Sequence, residues 1–177
     1  LKGIVQPFPI HFHDYYVIGF VESGTRFMSC KNKEYTITKG NILIFNPNDS
    51  HGCIQSDGET FDYRGINISK DTMQLLTKEI TGKAELPEFA ENVIVNHELG
   101  GYLSSLHKMI MNGSKEFEKE ELLLLLFSLL IEQYVQPFSQ SLPLCSEEIC
   151  KACDFIEENY NNHITLNDLC FCCNLSK

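Results

Sequence analysis

Two groups of side chains in this sequence are of the types that do chemistry. The first is a set of imidazoles: His11 and His13 form an H-x-H pair inside HFHDYYVIGFVESG at 11–24, and His51 follows the turn-forming Asn-Pro-Asn-Asp-Ser. Imidazole titrates near neutrality and ligates metals, so histidines brought together could hold a divalent ion or hydrogen-bond a bound molecule. The second group is the cysteines, eight in all, of which Cys145, Cys150, Cys153, Cys170, Cys172 and Cys173 fall after residue 144. Cys150 and Cys153 form a C-x-x-C, but it lies inside an amphipathic helical pattern and no second C-x-x-C completes a tetrahedral zinc set. Helix packing by small buried thiols is expected of these residues, with a cysteine-based redox or metal sensor as the alternative.

What must position the histidines is β structure. The segment 11–24 is rich in aromatic and β-branched residues and ends at Ser-Gly, which suits a strand and the start of a hairpin. Alternation places His11, His13, Tyr15 and Val17 on one face and Phe12, Asp14, Tyr16 and Ile18 on the other, without saying which face is inside, since both carry apolar residues. In the same way Cys53 shares a strand face with His51. Further short strands are expected at 26–30, 35–38, 42–45, 52–55 and 61–68, separated by Lys-Asn-Lys, Lys-Gly-Asn, Asn-Pro-Asn-Asp and Ser-Asp-Gly-Glu. Strands so closely spaced argue for an antiparallel sandwich or small barrel.

After Ser69 the pattern turns helical. Met73, Leu76 and Ile80 recur at helical spacing before Thr81-Gly82, and Leu99, Leu103, Leu106 and Ile110 form a stripe over 97–112. Residues 85–96, with Pro87, read as an irregular connection. Ser114 precedes an acidic turn and a long helix over 121–135, stopped by Pro137. Its residues 122–131 are apolar around nearly the whole circumference, so it must be covered on two sides, by its own domain and by a second subunit. A Pro/Ser-rich linker follows, then a helix from near Ser146 with Ile149, Cys153, Ile156 and Tyr160 on one stripe, and a short helix to Cys173 that starts at a capping-box-like Thr165-x-x-Asp168.

With 177 residues, 43% hydrophobic and 21% charged, the chain is expected to bury a real core, which excludes disorder. Its longest apolar run, 122–127, resumes only at 129–131, short of the roughly 20 residues a membrane-spanning helix needs. The N-terminus, which begins with Leu rather than Met, has no secretory pattern, and the chain reads as cytoplasmic with reduced thiols. A net charge of −10, with 11 acidic against 4 basic residues after position 113, argues against electrostatic binding of DNA by this chain alone.

Two regions together resemble the AraC/XylS family of bacterial transcription regulators. HFHDYYVIGFVESG at 11–24 and EYTITKGNILIFNPNDSH at 34–51, with its Gly40, Pro47 and His51, look like the cupin-type ligand-binding barrel of these proteins. ITLNDLCFCCNLSK at 164–177 is similar to the opening of the family's helix-turn-helix domain, with cysteines where the first helix usually has small residues, and 147–160 matches the helix before it. The resemblance implies an α+β fold: a cupin-like antiparallel β-barrel or jelly roll over 1–69, a helical dimerisation region over 70–135, a linker over 136–145, and an incomplete helix-turn-helix domain over 146–177. Family members continue into a recognition helix and a second helix-turn-helix unit, so the expectation is a sensor and dimerisation region whose DNA reader is truncated.

The cupin resemblance also chooses the inner face. It implies that His11 and His13 point into the barrel with His51 beside them, a set able to ligate a metal in the His₃ manner. Metal-binding cupins add a carboxylate four residues after the second histidine; here that residue is Val17, which leaves Cys53, an anion or water to complete a site. A metal-free pocket is therefore the expected arrangement, with His11, His13, Tyr15, His51, Cys53 and Tyr63 as ligand-binding residues and a divalent metal on His11, His13 and His51 as the alternative. Arg26 is expected either to meet an anionic group or to pair with a surface carboxylate. The implied partners are a small-molecule effector, a sugar or other metabolite, a second copy of the chain, and promoter DNA through the full-length protein. The competing class is a cupin metalloenzyme of dioxygenase or isomerase type.

Overall fold

The close strand spacing of the N-terminal half folds into two four-stranded antiparallel sheets that face each other as a barrel-like sandwich, and a layer of helices covers the outside of one of them. The computed structural model describes residues 2–55, 60–113, 117–136 and 147–173. The chain divides into two compact units, Leu1–Phe138 and Ser139–Lys177. In the first unit the elements are β1 (Phe8–His11), β2 (Tyr16–Ser23), β3 (Thr25–Cys30), β4 (Lys33–Thr38), β5 (Asn41–Phe45), β6 (His51–Gln55), β7 (Asp62–Ile68), α1 (Lys70–Thr81), β8 (Val93–Val95), α2 (His97–Met111) and α3 (Phe117–Tyr134). One sheet runs β1-β6-β3-β4 and the other β7-β2-β5-β8.

Local sequence explains how these strands turn. Cys30 pairs with Lys33 across a two-residue loop in which Lys31 and Asn32 both have positive φ, 51° and 63°, the geometry that matches the twist of a hairpin. Gly24, at φ 84°, joins β2 to β3 where an added Cβ would meet the Thr60 carbonyl at 2.3 Å, so no other residue fits.

Two expectations for the β region need correction. The segment 11–24 is not one strand: β1 ends at His11 in the first sheet and β2 begins at Tyr16 in the second, with residues 12–15 crossing between them. Alternation cannot detect this crossing, because the apolar and polar parity continues through it. The connection 85–96 also carries β8, whose Asn41↔Val95 and Leu43↔Val93 pairs extend the second sheet beyond residue 69. Three residues are too few to show a period.

Strand β2 is buried on both sides, as a strand between two layers must be. Tyr16 and Ile18 join Ile42, Ile44 and Ile68 on the outer face, where Met73, Leu99, Leu103, Leu106, Leu126, Phe127 and Leu130 close a core against the helices. Val17 and Val21 face inward with Met28, Ile37, Leu43 and Phe45. The helices begin and end at local signals. The Ser69 hydroxyl caps α1 by accepting from the Thr72 N–H, and Gly82 in the left-handed region ends it; Asn96 caps α2 by accepting from the Glu98 and Leu99 N–H groups.

Helix α3 starts at Phe117, four residues earlier than expected, with Glu118 and Glu120 in its first turn, where the helix dipole favours acids. Its own chain covers more of it than the sequence pattern suggested: Leu122, Leu123, Leu124 and Leu129 pack against the outer core, and Leu125 stands out at 44% exposed. Pro137 lies outside the described residues, and no described helix is long and apolar enough to cross a membrane.

The second unit contains α4 (Glu147–Asn159) and α5 (Leu166–Cys173). The capping box is formed: the Thr165 N–H donates to Asp168 Oδ2 at 2.8 Å, and the Asp168 N–H donates to Thr165 Oγ1 at 3.3 Å. Cys153, Cys170, Cys172 and Cys173 are free thiols, Cys173 buried and Cys153 exposed. Cys145 and the side chains of Ile149 and Cys150 lie outside what is described, as does the linker after Gln136.

Candidate functional site

Between the two sheets the inward side chains leave a cavity of about 240 Å³. All six residues singled out in the sequence line it: His11 from the end of β1, His13 and Tyr15 from the crossing, His51 and Cys53 from β6, and Tyr63 from β7. Residues 11, 13 and 15 therefore keep a common side even though the chain changes sheets between them. The three imidazoles form one cluster, with ring centroids 4.5 Å apart for His11 and His51, 4.9 Å for His11 and His13, and 5.4 Å for His13 and His51. The Tyr15 ring stacks on His13 at 4.7 Å.

Each ring is held differently. His51 lies flat on Phe45, with centroids 3.8 Å apart and planes 5° from parallel. Its Nδ1 is 2.8 Å from the Asp49 carbonyl, and His11 Nδ1 is 2.6 Å from the Pro9 carbonyl. A carbonyl only accepts, so in both rings Nδ1 carries the proton, and in the neutral form Nε2 keeps its lone pair. Burial, reinforced by the neighbouring imidazoles, holds His51 below its ordinary value of 6.5, against the opposing hydrogen bond to Asp49. His13 is also lowered, by burial and then by His11. The cluster is thus poised to accept hydrogen bonds or a cation.

Deeper in, Tyr63 occupies space that only a glycine could leave. A Cβ on Gly19 would stand 2.4 Å from the Tyr63 hydroxyl and 2.3 Å from the Arg64 carbonyl oxygen. Burial pushes the Tyr63 phenol and the Cys53 thiol upward, so both are protonated at neutral pH. The rest of the wall includes Met28, Leu43, Phe45, Phe61 and Asn67, none of which sequence reasoning had placed there. Asn67 was within reach, because it continues the 63, 65, 67 face of β7. The apolar wall residues carry no signal that separates a lining side chain from a packed one.

One ring nitrogen from each of His11, His13 and His51 lies within 4.8 Å of the others, which fits three ligands of a divalent metal after small side-chain shifts. Cys53 lines the same cavity but is not among these three groups, and Val17 offers no carboxylate. Among the described residues Arg26 has no carboxylate partner, so the expected surface ion pair is not formed. It is fully buried, donates to the Ile4 carbonyl at 2.7 Å, and lies 5.4 Å from the centre of the ring of Phe61, itself a lining residue, so it fixes the N-terminal segment.

Residues 4–130 match the model of the AraC-like ligand binding domain family. An uncharacterized HTH-type transcriptional regulator of Bacillus subtilis (strain 168), YbfI, is 48% identical over 169 residues; the match takes in 95% of this chain and 62% of YbfI. The chain thus spans less than two thirds of that relative. Among solved structures, ToxT from Vibrio cholerae O395 bound to (E)-4-(8-methylnaphthalen-1-yl)but-3-enoic acid superposes with a TM-score of 0.54 at 16% identity, covering 99% of this chain and 69% of ToxT. ToxT from strain SCE256 with a bound unsaturated fatty acid gives 0.51, also at 16% identity, covering 99% and 66%. Likeness at that identity shows a shared fold.

Proposed function

This chain belongs to the AraC-like ligand-binding domain family, and from that membership we propose that it is the effector-sensing and dimerising portion of a bacterial transcription regulator. The reading is carried by one observation: His11, His13, Tyr15, His51, Cys53 and Tyr63, drawn from both sheets, line a single cavity. A concave, largely apolar site with a few convergent polar groups is what a small molecule requires. The effector is a small metabolite with an apolar body and few polar groups, a better match to this wall than a fully hydroxylated sugar. The two acids bound by ToxT combine an apolar body with one polar end in the same way.

In this reading the protein acts in the cytoplasm as a regulator rather than an enzyme. Promoter DNA is read through the helix-turn-helix domain that α4 and α5 open, and α3 with α2 forms a homodimer face. The unburied Leu125 on α3, with Ile110 and Met111 at the end of α2, supports that face. A thermal-shift screen of small metabolites identifies the effector, since a molecule that binds the folded state raises its apparent stability. The expected result is a binder whose affinity falls in both His13→Ala and Tyr63→Ala while the chain stays folded; unchanged affinity in both removes the pocket from the reading.

A second reading rests on the three ring nitrogens within 4.8 Å, which would hold zinc, nickel or a similar ion, as a metalloenzyme of the cupin type requires. Such an ion would supply a Lewis acid within the cavity, with His51 fixed by Phe45 and by Asp49. Stoichiometric metal in the purified chain, lost in His51→Ala, would favour it.

A further inference from the structure

Three buried polar residues lie behind the cavity wall and line no part of it: Asn46, Asp49 and Asn92. A carboxylate out of water must be compensated, and Asp49 is. Its Oδ2 accepts from the Asn46 N–H at 3.0 Å, from Asn46 Nδ2 at 3.1 Å and from Asn92 Nδ2 at 3.0 Å, while Lys31 Nζ stands 3.2 Å from Oδ1. The turn that carries Asp49 grips the imidazole cluster twice. The Asp49 carbonyl accepts from His51 Nδ1 at 2.8 Å, and the Asn48 N–H donates to the His13 carbonyl at 2.7 Å.

On its other side the turn grips the segment 88–92, whose Phe89 is buried in the core shared with the helices. The Asn46 carboxamide pairs with both backbone groups of Phe89, accepting from its N–H at 2.9 Å and donating to its carbonyl at 3.0 Å. Asn92 donates to the Ile44 carbonyl at 2.9 Å, and its own carbonyl accepts from the Ile44 N–H at 3.0 Å. The segment then meets the end of α3: the Ala90 N–H donates to the Tyr134 carbonyl at 2.9 Å, and the Gln136 N–H donates to the Glu88 carbonyl at 3.0 Å. Hydrogen bonds, joined by the backbone of 88–92, therefore run from the pocket's His51 to Tyr134 at the end of α3 and to Gln136 two residues beyond it.

We propose that the segment 88–92 is the output strap of the pocket, through which displacement of His51 or His13 changes the seating of residues 134–136 at the end of the sensing unit. This rests on the reading of the cavity as an effector site. The physical basis is that one carboxylate oxygen holds three N–H donors at once. Turning it to follow His51 leaves a buried donor unpaired unless Asn46 and Asn92 move as well, and both are bonded to the strap or its neighbouring strand. Turn and strap shift together or come apart together.

Hydrogen exchange of single amides, followed by NMR on the whole chain without any ligand, tests the link. His51→Ala is expected to speed exchange at Ala90 and Gln136 about tenfold relative to Leu103 in the middle of α2, and Asn46→Ser to do the same. The double variant should add nothing beyond either single change, because both cut one connection. Exchange at Ala90 and Gln136 that does not move in His51→Ala, a rise shared equally by Leu103, or additive effects in the double variant would each overturn the strap. Should either variant fail to fold, Phe45→Leu, which loosens the same imidazole, and Asn92→Ala complete the same cycle. Failure here leaves the effector site standing, whereas an effector indifferent to His13→Ala and Tyr63→Ala removes the site and leaves the mechanical link as measured.

Discussion

The two faces of strand β2 do opposite work with nearly the same residue types. Outward, Tyr16 and Ile18 meet the helices in a core where Leu99, Leu103, Leu106 and Phe127 are at most 2% exposed. Inward, Val17 joins Leu43, Phe45 and Met28 around a cavity. One side buries its residues in a continuous core, and the other leaves a cavity where packing partners are missing. The difference lies in what stands opposite: helices that bring long aliphatic stripes on one side, and on the other a second sheet whose inward positions 11, 51 and 53, with His13 of the crossing beside them, carry imidazole and thiol. Hydrophobicity alone does not distinguish a wall from a core.

The largest expected effect compares one substitution on the two sides. Leu103→Ala in the helical core should cost about 3–5 kcal/mol, while Leu43→Ala at the cavity should cost about 2 kcal/mol, since one side of Leu43 already lacks contacts. Urea denaturation of the two variants decides it. Equal costs would mean that the inner side is packed as tightly as the outer and that the cavity has no functional meaning.

A single glycine allows a sharper comparison. Gly19 lies on β2 between Val17 and Val21, and a methyl group there would collide with the Tyr63 hydroxyl and the Arg64 carbonyl. Gly19→Ala is expected to destabilise by about 1–3 kcal/mol and to drive the Tyr63 ring into the cavity, so that effector affinity falls as well. Gly19→Ala with unchanged affinity would show that Tyr63 does not set the shape of the site.

Which parts of this arrangement were legible in the sequence follows from what each part depends on. The helices were legible because Met73 and Leu76, and Leu99, Leu103 and Leu106, repeat at the helical interval between local caps such as Asn96 and stops such as Gly82. Tyr63 could be chosen because it lies on the strand 61–68 expected to close the barrel, although alternation alone does not say which side of that strand faces in. The inward direction of His11 and His13 came from the family resemblance, since alternation gave two faces and no choice. The Asn46–Asp49–Asn92 network was hidden, because Asn-Pro-Asn-Asp is what a solvent-facing turn also looks like, and Asn92 lies more than 40 residues away. The partners of Arg26 were hidden for the same reason: they are backbone carbonyls of Ile4 and Val5, which no side-chain pattern announces.

Acid should act mainly on the inner face, which carries two imidazoles held low, against one on the outer side, His107 of α2, which burial lowers as it packs on Phe20. Burial and the neighbouring imidazoles hold folded His13 and His51 below the 6.5 of the unfolded chain, with His11, Asp14, Lys31 and Asp49 as the charged or titratable neighbours. Between those values the unfolded state binds more protons, so stability is complete above the unfolded value and is lost as the pH falls through it. The melting temperature is expected to drop from about pH 7.5 to about pH 5.5, by less than either packing change lowers it, and His51→Gln should flatten that slope. A slope unchanged in His51→Gln would place the titration elsewhere.

The smallest effect on the folded monomer is expected where the outer side runs out of cover. Leu125 is 44% exposed on α3 while its neighbours Leu126 and Phe127 are buried, so Leu125→Lys removes little from the monomer's core, about 0.5 kcal/mol or less. If α3 meets a second copy along this line, the same change places a charge in an apolar contact on both sides of a two-fold axis, so one substitution is felt twice. The expected outcome is a dimer at micromolar concentration that sediments as a monomer in Leu125→Lys with its urea midpoint almost unmoved. A dimer that survives the substitution would mean that the helical layer is finished by its own chain and that the contact lies on another surface. The contrast between a closed outer side and an open inner one would then be complete.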